Sequence, residues 1–297
     1  MPNYLLYLLT VLIWGSTWIA INYQLGEVAP QVSIFYRFAF AALILFSYCR
    51  FKKYNLTFRY TQHVYLLLFG LCLFSSNYYF LYQAQTLINS ALASIIFSTL
   101  LLFNIINTRI WFKTNIDNNV YFGGIFGLFG IGTLFWPLIN NTELSQSTLL
   151  GIFLGLIGVI FASFGNMISV KNAQQKIPLL PATAWGMLYG TVGMLVVILI
   201  EGITFSFVFT PHYIGSLLYL SLFGSVFAFT CYLTLITRIG AHKASYANIM
   251  FPAVAVIIST LVEGFSWNLY VVVGLTLMVI GNVMVLIKPS TKADNDI

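Results

Sequence analysis

Charge is what this sequence has least of. Only 7% of its 297 residues are charged, seven acids against thirteen bases, where a soluble domain carries roughly a quarter. So few charges cannot clothe a water-soluble α/β protein of this length, and composition excludes that class. Cysteine is scarce too. Cys49, Cys72 and Cys231 make no CxxC pair and no Cys/His spacing suited to zinc, and all fall in apolar runs, so they read as small core residues. The alternating segments of roughly ten residues that mark a membrane β-barrel are missing; runs such as GIFLGLIGVIFASFGNMISV, Gly151 to Val170, are continuous. His63, His212 and His242 stand apart, no HExxH or GxSxG occurs, and no run holds two carboxylates, so no catalytic set, metal or cofactor is expected. The start, MPNYLLYLLTVLIWG, lacks the basic segment and cleavage site of a signal peptide and is expected to stay as a span.

What the sequence has is apolar length. Hydrophobic residues make up 60% of it, gathered in runs near 4 to 22, 31 to 49, 63 to 83, 89 to 112, 120 to 139, 149 to 170, 181 to 201, 212 to 235, 243 to 263 and 267 to 287. Each is about long enough to cross a hydrocarbon core of about 30 Å, which takes roughly 20 helical residues. The expectation is an all-α membrane protein with ten transmembrane helices.

The charges fall on alternate sides of that arrangement. With the N-terminus cytoplasmic, the cytoplasmic loops and tail hold Arg50, Lys52, Lys53, Arg59, Arg109, Lys113, Lys171, Lys176, Arg238, Lys243, Lys288 and Lys292, all but one of the thirteen bases. The opposite loops and helix ends hold Glu27, Glu143, Glu201 and Glu263 and no base. This positive-inside bias predicts a multi-pass cell (inner) membrane protein with both termini cytoplasmic. It accounts for the net charge of +6 without a nucleic-acid partner, since no contiguous basic face forms.

Ten spans divide into five and five, and a five-span unit repeated in tandem enters the membrane from the opposite side the second time. The charges follow that inversion: Glu27 lies after the first span, Lys171 and Lys176 after the sixth. Gly70 to Tyr78, GLCLFSSNY, resembles Gly224 to Tyr232, GSVFAFTCY, while Ala93-Ser94 and Ala244-Ser245 follow at spacings differing by three residues. The expected units are residues 1–145, residues 146–288 and a cytoplasmic tail, 289–297. Two inverted five-helix repeats around a central cavity give two nearly equivalent states, the basis of alternating access.

Four motifs in order carry a family resemblance: IWGSTWIAI at Ile13 to Ile21, Pro30 followed by YRFAFAAL at Tyr36 to Leu43, FASFGNMISVKN at Phe161 to Asn172, and FPAVAVIISTLVEGF at Phe251 to Phe265. With the span count and the inverted charges, the chain resembles the drug/metabolite transporter superfamily in its EamA branch, from about residue 4 to 287. The first half departs by lacking counterparts of Pro252 and Glu263. The resemblance implies a basket of helices around a central cavity, spans five and ten at the periphery, and export or exchange of small metabolites.

Amides, aromatic rings and one arginine within the spans supply the candidate substrate-binding residues: Trp14, Arg37, Asn77, Tyr78, Tyr82, Asn166, Tyr232 and Asn248. The glycine pairs Gly123 and Gly127, Gly151 and Gly155, and Gly186 and Gly190 fit close helix packing and not a phosphate cradle. Arg37 is the thirteenth base and the only ionisable residue well inside a span. It has two readings: a structural arginine that snorkels outward or pairs with Glu27, Glu201 or Glu263, or a clamp for an anionic substrate group. The expected function is a non-enzymatic carrier of small organic metabolites, amino-acid-like or drug-like, working by alternating access with the lipid bilayer as its surroundings. An intramembrane enzyme and a structural or receptor-like protein are the alternatives, separated by a nucleophile–base pair in the cavity and by the absence of flux. Oligomeric state is left open.

Overall fold

The computed structural model describes residues 1–26, 28–88, 90–134, 136–137, 145–262 and 267–286, and among them every regular element is helical. α1 (Asn3–Asn22) and α2 (Pro30–Phe51) are uninterrupted. Pro30 opens α2 at a position whose N–H would have no helical partner anyway. α3 (Tyr60–Gly70) passes through a π-helical stretch, Leu71–Ser76, into α4 (Asn77–Gln85). A turn at Thr99 separates α5 (Ser90–Ser98) from α6 (Leu100–Phe112). α7 (Asn118–Leu134), α8 (Gln146–Gln174) and α9 (Leu179–Ile200) follow, α8 being capped by Ser145, whose hydroxyl accepts from the Thr148 amide at 3.1 Å. α10 (Pro211–Tyr219) passes through a second π stretch, Leu220–Phe227, into α11 (Ala228–Ile239). Breaks at Ser245 and Met250 cut the next run into α12 (Ala241–Ala244), α13 (Tyr246–Ile249) and α14 (Phe251–Val262), and α15 (Leu269–Leu286) ends the described chain.

Among the described residues seven helical stretches are long and apolar enough to cross a membrane: Asn3–Asn22, Pro30–Phe51, Tyr60–Gln85, Leu92–Phe112, Gln146–Gln174, Leu179–Ile200 and Pro211–Ile239. The remaining expected spans correspond to α7, to the broken run α12–α14 and to α15. Glu27, Glu143, Glu263, Lys288 and Lys292 lie outside the described residues.

α2 lies along α9, α4 along α8, and α1 against both α11 and α14. α7 and α15 pack chiefly on each other, and glycine makes that possible. A Cβ on Gly281 would stand 2.5 Å from the Gly123 carbonyl and 2.8 Å from the Gly127 nitrogen, so the two backbones touch directly. Gly151 and Gly155 likewise sit against Ile88 and Ile96, and Gly186 and Gly190 against Phe69 and Phe74.

Side-chain bonds tie like ends together. Arg238 donates to the Met1 carbonyl at 2.8 Å, Trp185 donates to the Leu56 carbonyl at 3.0 Å, and Lys243 stands 4.0 Å from Asp117. These contacts define a basic end. At the other end Gln31 donates to Glu201 at 2.7 Å and Tyr36 to the Ser206 carbonyl at 3.2 Å. Three reversals at the basic end place a lysine in the left-handed region, Lys53 (φ 55°), Lys113 (φ 52°) and Lys176 (φ 58°). After α1 and α9, at the opposite end, glycine fills that role, Gly26 (φ 84°) and Gly202 (φ 66°).

Candidate substrate cavity

Residues from α1, α2, α4, α5, α6, α8, α11 and α14, with Leu73 of the first π stretch, close around a central cavity of about 40 Å³. Ligand pockets run from about 300 to 1,000 Å³, so the cavity is contracted in this conformation.

Aromatic rings form most of the wall. The Trp14 ring lies 4.8 Å from Phe229, 4.9 Å from Tyr232 and 5.7 Å from Phe251, centroid to centroid, and Trp18 lies 5.8 Å from Phe97. Trp14 also donates through Nε1 to the Gly224 carbonyl at 2.9 Å, a bond from α1 into the second π stretch. π segments recur at functional sites because they break the ordinary helical register. Here the stretch also supplies Ser225, whose hydroxyl accepts from Arg37 Nε at 2.9 Å.

Among the described residues Arg37 is the only charged one in the cavity wall. Its side chain is 1% exposed, with Nη1 and Nη2 each 3.4 Å from the hydroxyls of Tyr82 and Tyr78, and its guanidinium 4.6 Å above the Tyr78 ring. Gly224 leaves it room, since a Cβ there would stand 3.2 Å from Nη2. The described residues bear on two parts of the structural expectation for Arg37, outward snorkelling and pairing with Glu201. Arg37 does not snorkel, because its partners Ser225, Tyr78 and Tyr82 lie inside the bundle. It does not pair with Glu201, whose two oxygens accept from Gln31 and Tyr79, each at 2.7 Å. Among the described residues the one ion pair within 4.0 Å is Lys243–Asp117, and the other expected partners, Glu27 and Glu263, fall outside those residues.

Several amides face the same space with spare capacity. Asn77 Oδ1, Asn166 Oδ1, both amide atoms of Gln85 and Trp18 Nε1 are buried without a hydrogen-bond partner, each at a cost of about 1–3 kcal/mol. Asn166 uses its Nδ2 to donate to the Tyr232 hydroxyl at 3.3 Å. One cation, unpaired acceptors and unpaired donors ringed by aromatics suit a small organic molecule that carries an anionic group, polar hydrogens and an apolar body.

Of the residues expected from sequence, Trp14, Arg37, Asn77, Tyr78, Asn166 and Tyr232 line this cavity. Tyr82 and Asn248 do not. Tyr82 stands behind Arg37, fully buried, and donates to Gln24 Oε1 at 2.9 Å, so it orients the guanidinium. Asn248 is fully buried in α13; the break at Met250 restarts the helix, and Phe251 takes the place on the wall. Sequence reasoning missed Gln85, Phe97 and Phe229. Gln85 had a readable signal: it follows Asn77, Tyr78 and Leu81 along one helical face, and all four line the cavity.

Comparison with known proteins agrees with this architecture. The sequence profile of the EamA-like transporter family matches residues 1–136 and again 141–287. The chain is 24% identical to "Protein PagO" of Salmonella typhimurium, over 95% of this chain and 92% of that protein. It is 26% identical to "Uncharacterized transporter YoaV" of Bacillus subtilis, over 82% of each. A solved structure titled "Crystal structure of protein" superposes with a TM-score of 0.76 over 95% of both chains at 14% identity, a likeness of fold alone. With the profile spanning both halves, the chain belongs to the EamA-like transporter family and is a multi-pass membrane transporter.

Proposed function

We propose that this transporter carries a small organic metabolite with an anionic group, by alternating access, through ten spans arranged as two inverted five-helix repeats, residues 1–145 and 146–288. Three features support the repeat. The family profile matches twice, once in each half. The third span of each half is interrupted by a π stretch, Leu71–Ser76 and Leu220–Phe227. The breaks at Thr99 and Met250 are separated along the chain by the same interval as Asn118 and Leu269, the first residues of α7 and α15.

One observation carries the substrate reading: a fully buried arginine facing the cavity without a carboxylate partner among the described residues. A planar guanidinium grips a carboxylate with two hydrogen bonds, and the free amides of Asn77, Gln85 and Asn166 would take the solute's polar hydrogens. Transport is facilitated diffusion, exchange or export across a cell membrane, with the basic end and both termini cytoplasmic. The test is flux of labelled amino acids and related organic acids into proteoliposomes. Arg37→Lys, which keeps the charge but not the two-pronged grip, should lower affinity for the true substrate. Unchanged affinity would overturn the clamp, and no flux for any solute would overturn the carrier.

A further inference from the structure

A second, larger pocket of about 350 Å³ opens at the basic end, between the last turn of α8, the first turn of α9, Phe69 of α3 and Thr237 of α11. That volume lies in the range of small-molecule sites. Asn172 lines it, only 2% exposed, with neither of its amide atoms hydrogen-bonded. Lys176 stands at its mouth in the left-handed turn that follows α8. The first turn of α9 forms another wall, with no acidic residue and no capping side chain, so the positive end of that helix is unshielded. Among the described residues no acid lines the pocket.

The two cavities share their walls. Asn166 of α8 lines the central one, and Ser169 and Asn172 line the outer one, successive three-residue steps that carry the lining about 9 Å along the helix. Leu73 and Phe69 follow the same order along the third span, and Tyr232 and Thr237 along α11. We infer that the outer pocket is a second binding site, which takes the carboxylate or phosphate of a small soluble solute and serves as its station between water at the basic end and the central cavity. The station role rests on the carrier reading above; the anion site does not.

Ala173, exposed and in the pocket wall, reports on the site when replaced by cysteine in the full-length protein, held in phosphatidylcholine nanodiscs. Rates of modification are measured with the anionic sulfonatoethyl and the cationic trimethylammonioethyl methanethiosulfonates, each normalised to its rate with free 2-mercaptoethanol. The unsubstituted chain serves as the background control for Cys49, Cys72 and Cys231. The anionic reagent should react roughly tenfold faster, the factor that about 1.4 kcal/mol of local attraction gives. Lys176→Gln should bring the ratio close to one, and millimolar inorganic phosphate should slow both reagents, less so when Asn172→Ala is added. Equal normalised rates, or no slowing by phosphate, would overturn the site. Slowing only when phosphatidylglycerol replaces phosphatidylcholine would assign the pocket to a lipid headgroup and overturn the solute reading. Labelling needs no transport, so the two readings fail separately. Slowing without flux counts against the carrier, and flux without slowing counts against this site.

Discussion

Replacing Arg37 by methionine removes the only charge among the described residues of the cavity wall and keeps an unbranched side chain in its place. Three interactions disappear. The 2.9 Å bond from Nε to Ser225 is charge-assisted and contributes about 1.5–3 kcal/mol. The guanidinium 4.6 Å above the Tyr78 ring adds about 2 kcal/mol at a desolvated position. The two tyrosine contacts at 3.4 Å are long and add about 1 kcal/mol together. Against these stands the cost of holding a cation away from water without a counter-charge, still several kcal/mol after relaxation. The terms nearly cancel, so Arg37→Met should change the unfolding free energy by no more than about 2 kcal/mol, whereas breaking a structural buried ion pair costs about 3–5 kcal/mol. Function should part company with stability. Arg37→Met should abolish flux, and a solute present at 100 times its Kd should stabilise the unsubstituted protein by about 2.7 kcal/mol and leave the variant unmoved. Arg37→Lys should weaken apparent affinity by roughly 10- to 150-fold, the equivalent of about 1.5–3 kcal/mol. Thermal melts in detergent with and without solute, paired with proteoliposome flux, read all of this. A variant that melts as though it had lost more than about 3 kcal/mol, together with a lysine variant that transports normally, would refute the reasoning and make Arg37 a structural tether.

Gly224→Ala should lower flux with a smaller effect on expression, because the new methyl meets Arg37 Nη2 at 3.2 Å and Thr17 Cγ2 at 3.0 Å; a KM equal to that of the unsubstituted protein would contradict it. Gly281→Leu should force α7 and α15 apart, since even a methyl group would stand 2.5 Å from the Gly123 carbonyl, and the expected readout is a melting temperature lowered by several degrees. His242 lies at the basic end, where burial, helped by Lys243 and opposed by Asp117, pushes its imidazole from 6.5 down to about 4. A folded-state value below the unfolded one means the contribution is full above pH 6.5 and is lost as the pH falls towards 4, on the order of 3 kcal/mol in all. The acid-side fall in melting temperature should therefore flatten in His242→Gln. Among the described residues no carboxylate or histidine lines the cavity, so an imposed pH gradient alone should drive no uphill accumulation; accumulation would mean that a glutamate at a helix end is drawn into the pathway.

How much of the molecule is legible in its sequence depends on whether a residue's role is set locally or by partners distant in the chain. Apolar length and the alternation of bases mark out the helices, because the bilayer imposes both. The glycine pairs show where helices meet closely, since only small residues let two backbones touch. Arg37 stands out by its cost. Its partners do not: Ser225 lies 188 positions away, on a π stretch that no hydrophobic pattern announces. Asn248 is misplaced for a related reason, because the break at Met250 resets the register that a continuous helical period would carry through.

Which way up a chain sits in its membrane is decided as it is made, and the reversals after α2, α6 and α8 bear the mark of that decision. Lys53, Lys113 and Lys176 hold a backbone conformation that glycine takes freely and that costs an L-residue about 1–2 kcal/mol, while Gly26 and Gly202 make the same kind of turn at the opposite end. Part of the cost is offset because a cation is favoured at a helix C-terminus; under the proposed topology the rest secures orientation through charge retained at the basic end. A stabilisation programme that replaced these lysines with the locally better glycine would raise the stability of the finished molecule while blurring the instruction that inserts it. Gains measured on purified protein and losses of yield in the cell would then trace to the same three substitutions.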